Sequence, residues 1–206
     1  KANYISFVPT MGGLHKGHLS LIKKARKFKS KILVSIFVNP KQFNKKSDFM
    51  NYPRNMDKDI KILKNLKIDY VYVPNFKDIY NFKPKNQIYV NKFSKRLCGK
   101  FRKGHFEGVI NVVNRFLEII KPTYIYLGLK DFQQLTLIKK HILKNKINTK
   151  VIECKTIREK NGVACSTRNF NLSKKDLKIA SNIYKYLFNL KKKLKKKQNS
   201  FSLNKV

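Results

Sequence analysis

The stretch FVPTMGGLHKGHLSLIKKA, residues 7–25, passes from an apolar β-rich segment through two glycines and two histidines into an amphipathic helical pattern. YISFVP at 4–9 reads as a strand, and Leu21, Ile22, Ala25 and Phe28 recur at the spacing of one helix face. Gly12 and Gly13 permit a tight turn, and Gly17 would leave the backbone open to a ligand. In an open parallel sheet, ligands gather at the carboxyl ends of strands, where helix N-termini present unpaired N–H groups. His15 and His18, three apart in a first helical turn, would face the same side. A phosphate held on those N–H groups would then meet both imidazoles.

Outward from this unit the pattern repeats. ILVSIFV at 32–38 reads as a strand buried on both faces and closed by Asn39 and Pro40. A helix with Met56, Ile60 and Leu63 on one stripe follows, then DYVYV at 69–73 as a third strand, stopped by Pro74. Residues 75–103 read as an irregular basic loop. GVINVVNRFLEII then reads as a buried helix, TYIYLG as a strand, DFQQLTLIKKHILKN as a helix and KVIEC as a strand. Strands alternating with helices of this length predict an α/β fold, a doubly wound parallel sheet with crossover helices. Ser173 and Asp176 form a capping pair for a long basic helix to about Lys197, the opening of a second unit. The expected division is 1–170 and 171–206.

A chain of 206 residues, 42% hydrophobic and 12% aromatic, supplies an ordinary globular core. No apolar run has the length of a membrane span, and the N-terminus lacks the pattern of a secretory signal, so a cytoplasmic location is expected. The chain opens at Lys1 without a methionine, and further residues are expected upstream. Cys98, Cys154 and Cys165 are far apart and outside any CxxC pair, and read as reduced thiols. The formal charge of +37 raises the question of a nucleic-acid or membrane partner. Against it, the lysines interrupt every segment and accompany abundant Asn, Ile, Tyr and Phe, the set that AT-rich codons specify. Even LKKKLKKKQ at 190–198 keeps leucines at helical spacing, as a solvated helix face does.

Two histidines at i, i+3 can share a metal ion, yet no Cys, Asp or Glu cluster nearby completes a ligand set. They can also be purely structural, although packing explains a glycine-flanked pair poorly. His141 reads as an ordinary helix residue, solvated or in the core, and His105 at a loop-to-helix junction has no assignment. GLKDFQQL at 128–135 is a second strand-to-helix junction, where Lys130 adds a cation to an already positive helix end, which favours an anion there. Asp131 suits the helix dipole by itself, and Gln133 and Gln134 fit an amphipathic helix. ACSTRNFNLS at 164–173 offers Ser166, Thr167 and Arg168 to a triphosphate. VNPKQF at 38–43 offers Asn39 and Gln42 to a small polar substrate.

VPTMGGLHKGHLSL, SIFVNPKQF, NYPRN, GHFEGV, GLKDFQQL and CSTRN, in this order and over residues 4 to about 187, closely resemble the pantoate–β-alanine ligase family. The HxGH element alone is shared with the wider nucleotidyltransferase superfamily, including class I aminoacyl-tRNA synthetases. The resemblance implies a Rossmann-like nucleotidyltransferase fold in 1–170, binding ATP and pantoate, with a C-terminal lid domain beginning in 171–206. It implies a two-step ligation in which pantoate takes an adenylyl group from ATP and β-alanine then displaces AMP to give pantothenate. By motif position, ATP falls to Met11, Gly12, Gly13, Leu14, His15, Lys16, Gly17 and His18. The other ATP segments are Gly128, Leu129, Lys130 and Asp131, then Ile157, and Cys165, Ser166, Thr167 and Arg168.

His18 is the family's proton donor, with His15 and Lys130 beside it as catalytic residues, and Gln42 and Gln134 match the residues that bind the pantoate and β-alanine substrates. Mg2+ would arrive with ATP, with Asp59 a possible outer contact. A homodimer is expected, without membrane or nucleic-acid partners. Two departures stand out: Leu129 replaces the usual acidic residue before Lys130, and Thr167 replaces a serine. A different adenylyl or cytidylyl transferase, or a nucleic-acid-binding protein on an enzyme scaffold, are the competing readings. Pyrophosphate exchange with another acid would mark the first, and salt-sensitive RNA binding without ATP binding the second.

Overall fold

The computed structural model describes residues 4–81 and 83–203, with side chains as far as 195. Lys1, the outermost residues of both expected units and the side chains of 196–198 lie outside that description. Five parallel strands, β1 (Ile5–Thr10), β2 (Lys31–Ile36), β3 (Tyr70–Tyr72), β4 (Tyr124–Gly128) and β5 (Lys150–Cys154), stand in the order β3-β2-β1-β4-β5. Ser6 lies level with both Ile32 and Tyr124, so β1 is central and the chain changes direction between β1 and β4. That reversal is the switch point at which an open α/β sheet forms its ligand crevice.

The strands read as continuous apolar runs because both faces are covered. Phe7, Ile125 and Leu127 point to one face, against α6 (His105–Ile120) and α7 (Phe132–Lys144). Val8, Val34, Tyr126 and Cys154 point to the other, against α1 (Lys16–Ala25) and α3 (Met56–Asn65). Helix α6 starts three residues before the GVINVV run, at His105, and buries eleven of its sixteen residues. His141 is a core residue: its Nε2 lies 3.0 Å from Asn114 Oδ1 and its Nδ1 accepts from Tyr89 N.

Several expected details differ. Phe28 lies beyond the end of α1 and packs on the rings of Tyr124 and Tyr126 instead of extending the helical stripe. Residues 75–103 contain α4 (Phe76–Tyr80), a 3-10 turn at Lys92–Lys95 and α5 (Cys98–Phe101), with α2 (Lys46–Met50) earlier in the chain. These helices are too short for apolar periodicity to register. The Ser173 and Asp176 capping pair forms as expected at α8 (Lys174–Leu203), with Asp176 N donating to Ser173 Oγ at 3.1 Å. No helix of the described residues is long and apolar enough to cross a membrane.

Candidate active site

A cleft of about 470 Å³ opens at the ends of β1 and β4, floored by Phe106, Val109 and Phe116 of α6. One wall is the loop from β1 to α1. Gly12 and Gly13 take left-handed φ values of +77° and +61°, and a Cβ on Gly13 would stand 2.2 Å from Thr167 Cγ2. Only glycine fits there.

Five of the loop's backbone donors are already used within the fold, and for these the expectation that they hold a phosphate is corrected. Gly12 N donates to Thr10 Oγ1. Gly13 N and Leu14 N donate to the two oxygens of Asp59, each at 2.8 Å. His15 N donates to His18 Nδ1 and Gly17 N to His15 Nδ1, so the two imidazoles form the capping box of α1. At Gly17 the His15 ring stands 2.7 Å from where a Cβ would be, and the glycine also lines the cleft.

The consequence for chemistry is direct. Both Nδ1 atoms accept, which places the ring protons on Nε2, and the two rings stack at 4.1 Å between centroids on the cleft wall. Burial, then the His15 and Lys130 charges, lowers the pKa of His18 to about 3. Burial and Lys130 also lower that of His15. Both therefore face the cleft as neutral N–H donors.

Lys130, in the turn after β4, lines the same cleft with its Nζ held between the carboxylate oxygens of Asp131, 3.0 and 3.1 Å away. Leu129 packs, half-buried, against the apolar cluster that α6 and α7 form with the sheet. Across the cleft, Ser166 caps the turn at Thr167–Asn171, Thr167 donates to Gly13 O, and Arg168 pairs with Asp48 at 2.9 Å. Thr167 thus serves as a tie to the glycine loop and keeps the hydroxyl of the serine it replaces. Met11, Gly128, Ile157, Cys165, Gln42 and Gln134 also line the cleft.

Some expected contacts are not on the wall. Gly12, Gly13 and Leu14 lie behind it as the loop's frame, and Lys16 turns outward to Glu159 at 2.9 Å. Asp59, suggested as an outer metal contact, is 2% exposed with both oxygens on the loop, so it is a clamp and not a ligand. Asn39 has no free group for a substrate: its amide accepts from Tyr80 and Lys41 and donates to Gly108 and Gln42.

Other residues contribute without a sequence signal. Gln133 is buried, and its Nε2 ties down the Phe93 and Arg96 carbonyls at 2.8 and 2.6 Å. His105 bonds Gln42 O through Nδ1 at 2.6 Å and so supports the turn that carries that glutamine. Arg102 reaches the cleft from the segment after α5 and has no hydrogen bond or ion pair from its guanidinium among the described residues. No cluster of three metal-ligating side chains occurs among the described residues.

The family model for pantoate-beta-alanine ligase matches residues 1–205. A pantothenate synthetase of Francisella tularensis subsp. novicida (strain U112) is 46% identical over 193 residues, covering 91% of this chain and 72% of the relative. A crystal structure of pantoate-beta-alanine ligase from Francisella tularensis, complexed with beta-gamma ATP and beta-alanine, superposes with a TM-score of 0.84. It is 46% identical and aligned over 90% of this chain and 71% of that one. A crystal structure of the Thermus thermophilus enzyme reaches 0.86 at 34% identity, over 91% and 68% of the two chains. Fold, ordered motifs and cleft agree with this relationship, and the chain belongs to the pantoate-beta-alanine ligase family.

Proposed function

We propose that the protein condenses pantoate with β-alanine at the expense of ATP, through a pantoyl adenylate. The observation that carries this reading is the meeting, at one switch point, of two neutral imidazole donors, Lys130 and two glutamines. In the first step a pantoate carboxylate oxygen bonds to the α-phosphorus while the bond to the bridging oxygen breaks, and pyrophosphate leaves with the electron pair. The β-alanine ammonium gives a proton to solvent, its free amine then bonds to the acyl carbon and loses a second proton, and AMP departs with the electron pair of the broken acyl–oxygen bond.

Negative charge grows on the phosphate oxygens as the first bond breaks. Donors already aimed there hold the transition state more strongly than the ground state. His15 and His18 are those donors, Lys130 and Arg168 join them once a phosphate takes the place of their carboxylates, and Gln42 and Gln134 hold the hydroxy acid beside them. Asp131 and Asp48 neutralise the two cations before substrate arrives, so both can exchange a carboxylate for a phosphate without an unpaired intermediate state. ATP brings its own Mg2+ in this reading. The donor set near the cleft is two carboxylates already paired with cations, which does not build a protein site, and no step is assigned to the ion.

Arg102 fits the one anion of the reaction that stays unreacted throughout, the β-alanine carboxylate. Arg102→Ala is expected to raise KM for β-alanine by about tenfold or more, the loss of a charge-assisted hydrogen bond, with KM for ATP little changed. Initial rates at varied β-alanine check it, and an equal rise for ATP would place Arg102 on the phosphates. The same reading carries a cytoplasmic homodimer without a nucleic-acid role, and a second unit in 171–206. The exposed Ile179, Ile183 and Leu187 on α8 support that division. The whole proposal is tested by AMP release: turnover that depends on both pantoate and β-alanine is expected, and ATP turnover indifferent to pantoate would overturn it.

A further inference from the structure

Gln42 can meet a substrate with its amide oxygen or its amide N–H, and these ends select opposite partners. The surrounding side chains decide which. Asn39 is 1% exposed and its orientation is fixed by unambiguous neighbours: Lys41 N donates to its Oδ1 at 3.2 Å, and its Nδ2 donates to Gly108 O at 3.0 Å. A flipped amide would set N–H against N–H and oxygen against oxygen. Tyr80 OH adds a second donor to Oδ1 at 2.8 Å. Its phenol stays protonated because burial raises its pKa to about 12. Asn39 Nδ2 then donates to Gln42 Oε1 at 3.3 Å, which engages that oxygen, while Nε2 gives one N–H to Met11 Sδ and has a second to offer on the cleft wall.

The backbone is held to match. His105 grips Gln42 O, and Gly108 has no Cβ because one would stand 2.4 Å from Lys41 O. The Lys41 ammonium lies 3.9 Å over the Tyr80 ring and holds the phenol in place. Tyr80 itself does not line the cleft.

We propose that Asn39, oriented jointly by Lys41 N, Gly108 O and the Tyr80 hydroxyl, sets the polarity of the Gln42 amide, with Tyr80 a positioning residue whose donor holds Asn39 in place, so that the hydroxy acid is recognised by N–H donation to one of its hydroxyl oxygens. The inference rests on the reaction proposed above. Tyr80→Phe keeps the ring and removes only the donor. It is expected to raise KM for pantoate by about fivefold to tenfold, the effect of one neutral hydrogen bond, while kcat and KM for ATP move by less than about twofold.

Two further measurements separate aiming from general loosening. With pantoate analogues lacking each hydroxyl in turn, one analogue is expected to bind Tyr80→Phe and the parent protein equally, because the atom that Gln42 reads is gone. In a Gln42→Ala background, Tyr80→Phe is expected to add less than about twofold, since a residue acting through Gln42 has nothing left to aim. An unchanged KM for pantoate, an equal rise for every acid and for ATP, or additive effects in the double variant would each overturn the relay. Loss of pantoate dependence in the parent protein would instead overturn the reaction on which it rests.

Discussion

His18→Ala is expected to slow pyrophosphate release in the first half-reaction by roughly a hundredfold or more, the range for removing one donor from a preorganised oxyanion site. The magnitude follows from how the ring is held. Its Nδ1 is committed to His15 N, its Nε2–H faces the cleft, and burial beside His15 and Lys130 keeps it neutral down to about pH 3. A neutral donor fixed by the fold needs no reorganisation when charge develops on the phosphate. The alanine also removes the acceptor from His15 N, half of the capping box, a stability loss of about 1 kcal/mol.

His18→Asn separates the two effects, because its side-chain oxygen reaches the Nδ1 position but nothing replaces Nε2. The expected result is a restored thermal midpoint without restored rate. The pH dependence has a definite sign. The unfolded chain binds a proton at His18 near pH 6.5 and the folded chain near pH 3, so stability from this group is complete above 6.5 and falls as the pH drops between those values. Catalysis should show no acid limb from His18 between pH 5 and 8. A limb near pH 6.5 that disappears in His18→Asn would show that an imidazolium, not a neutral imidazole, does the work.

The arrangement of strands and helices was legible because it is written in local periodicity. β2 and α6 carry apolar patterns long enough to specify a buried strand and a helix against it. Gly12 and Gly13 announced a turn by conformational need, and the HxGH spacing put both imidazoles on one side of a first turn, where they lie. What the Gly13 and Leu14 donors of that turn do was not legible, since their acceptor, Asp59, sits 46 and 45 residues away. Asp57 and Asp59 look alike in MDKDIKIL, and only the packing of α3 beneath the loop buries one of them. Tyr80 and Arg102 were missed for the same reason. Each lies in the segment read as an irregular loop, and its role comes from partners or a cavity brought close by the sheet, not from its neighbours in the chain.

Asp59→Ala should be the most destabilising of these substitutions. The aspartate is 2% exposed and accepts from two backbone N–H groups that nothing else reaches. Removing it leaves one buried and one part-buried donor without an acceptor, at about 1–3 kcal/mol each, so a loss of roughly 2–6 kcal/mol is expected. For a chain of this size each kcal/mol shifts the midpoint by about 2–4 °C, which makes the change readable by thermal denaturation. Asp59→Asn tests the geometry more finely. Its oxygen can serve one N–H, but its amide group then presents a donor to the other, so it should recover at most half of the loss. If Asp59 instead met a metal ion through its side chain, the asparagine variant would keep its midpoint and need more Mg2+ for turnover. The clamp predicts the reverse: a lowered midpoint, an unmoved Mg2+ requirement, and a reduced rate at every Mg2+ concentration because His15 and His18 stand on the loop that has come loose.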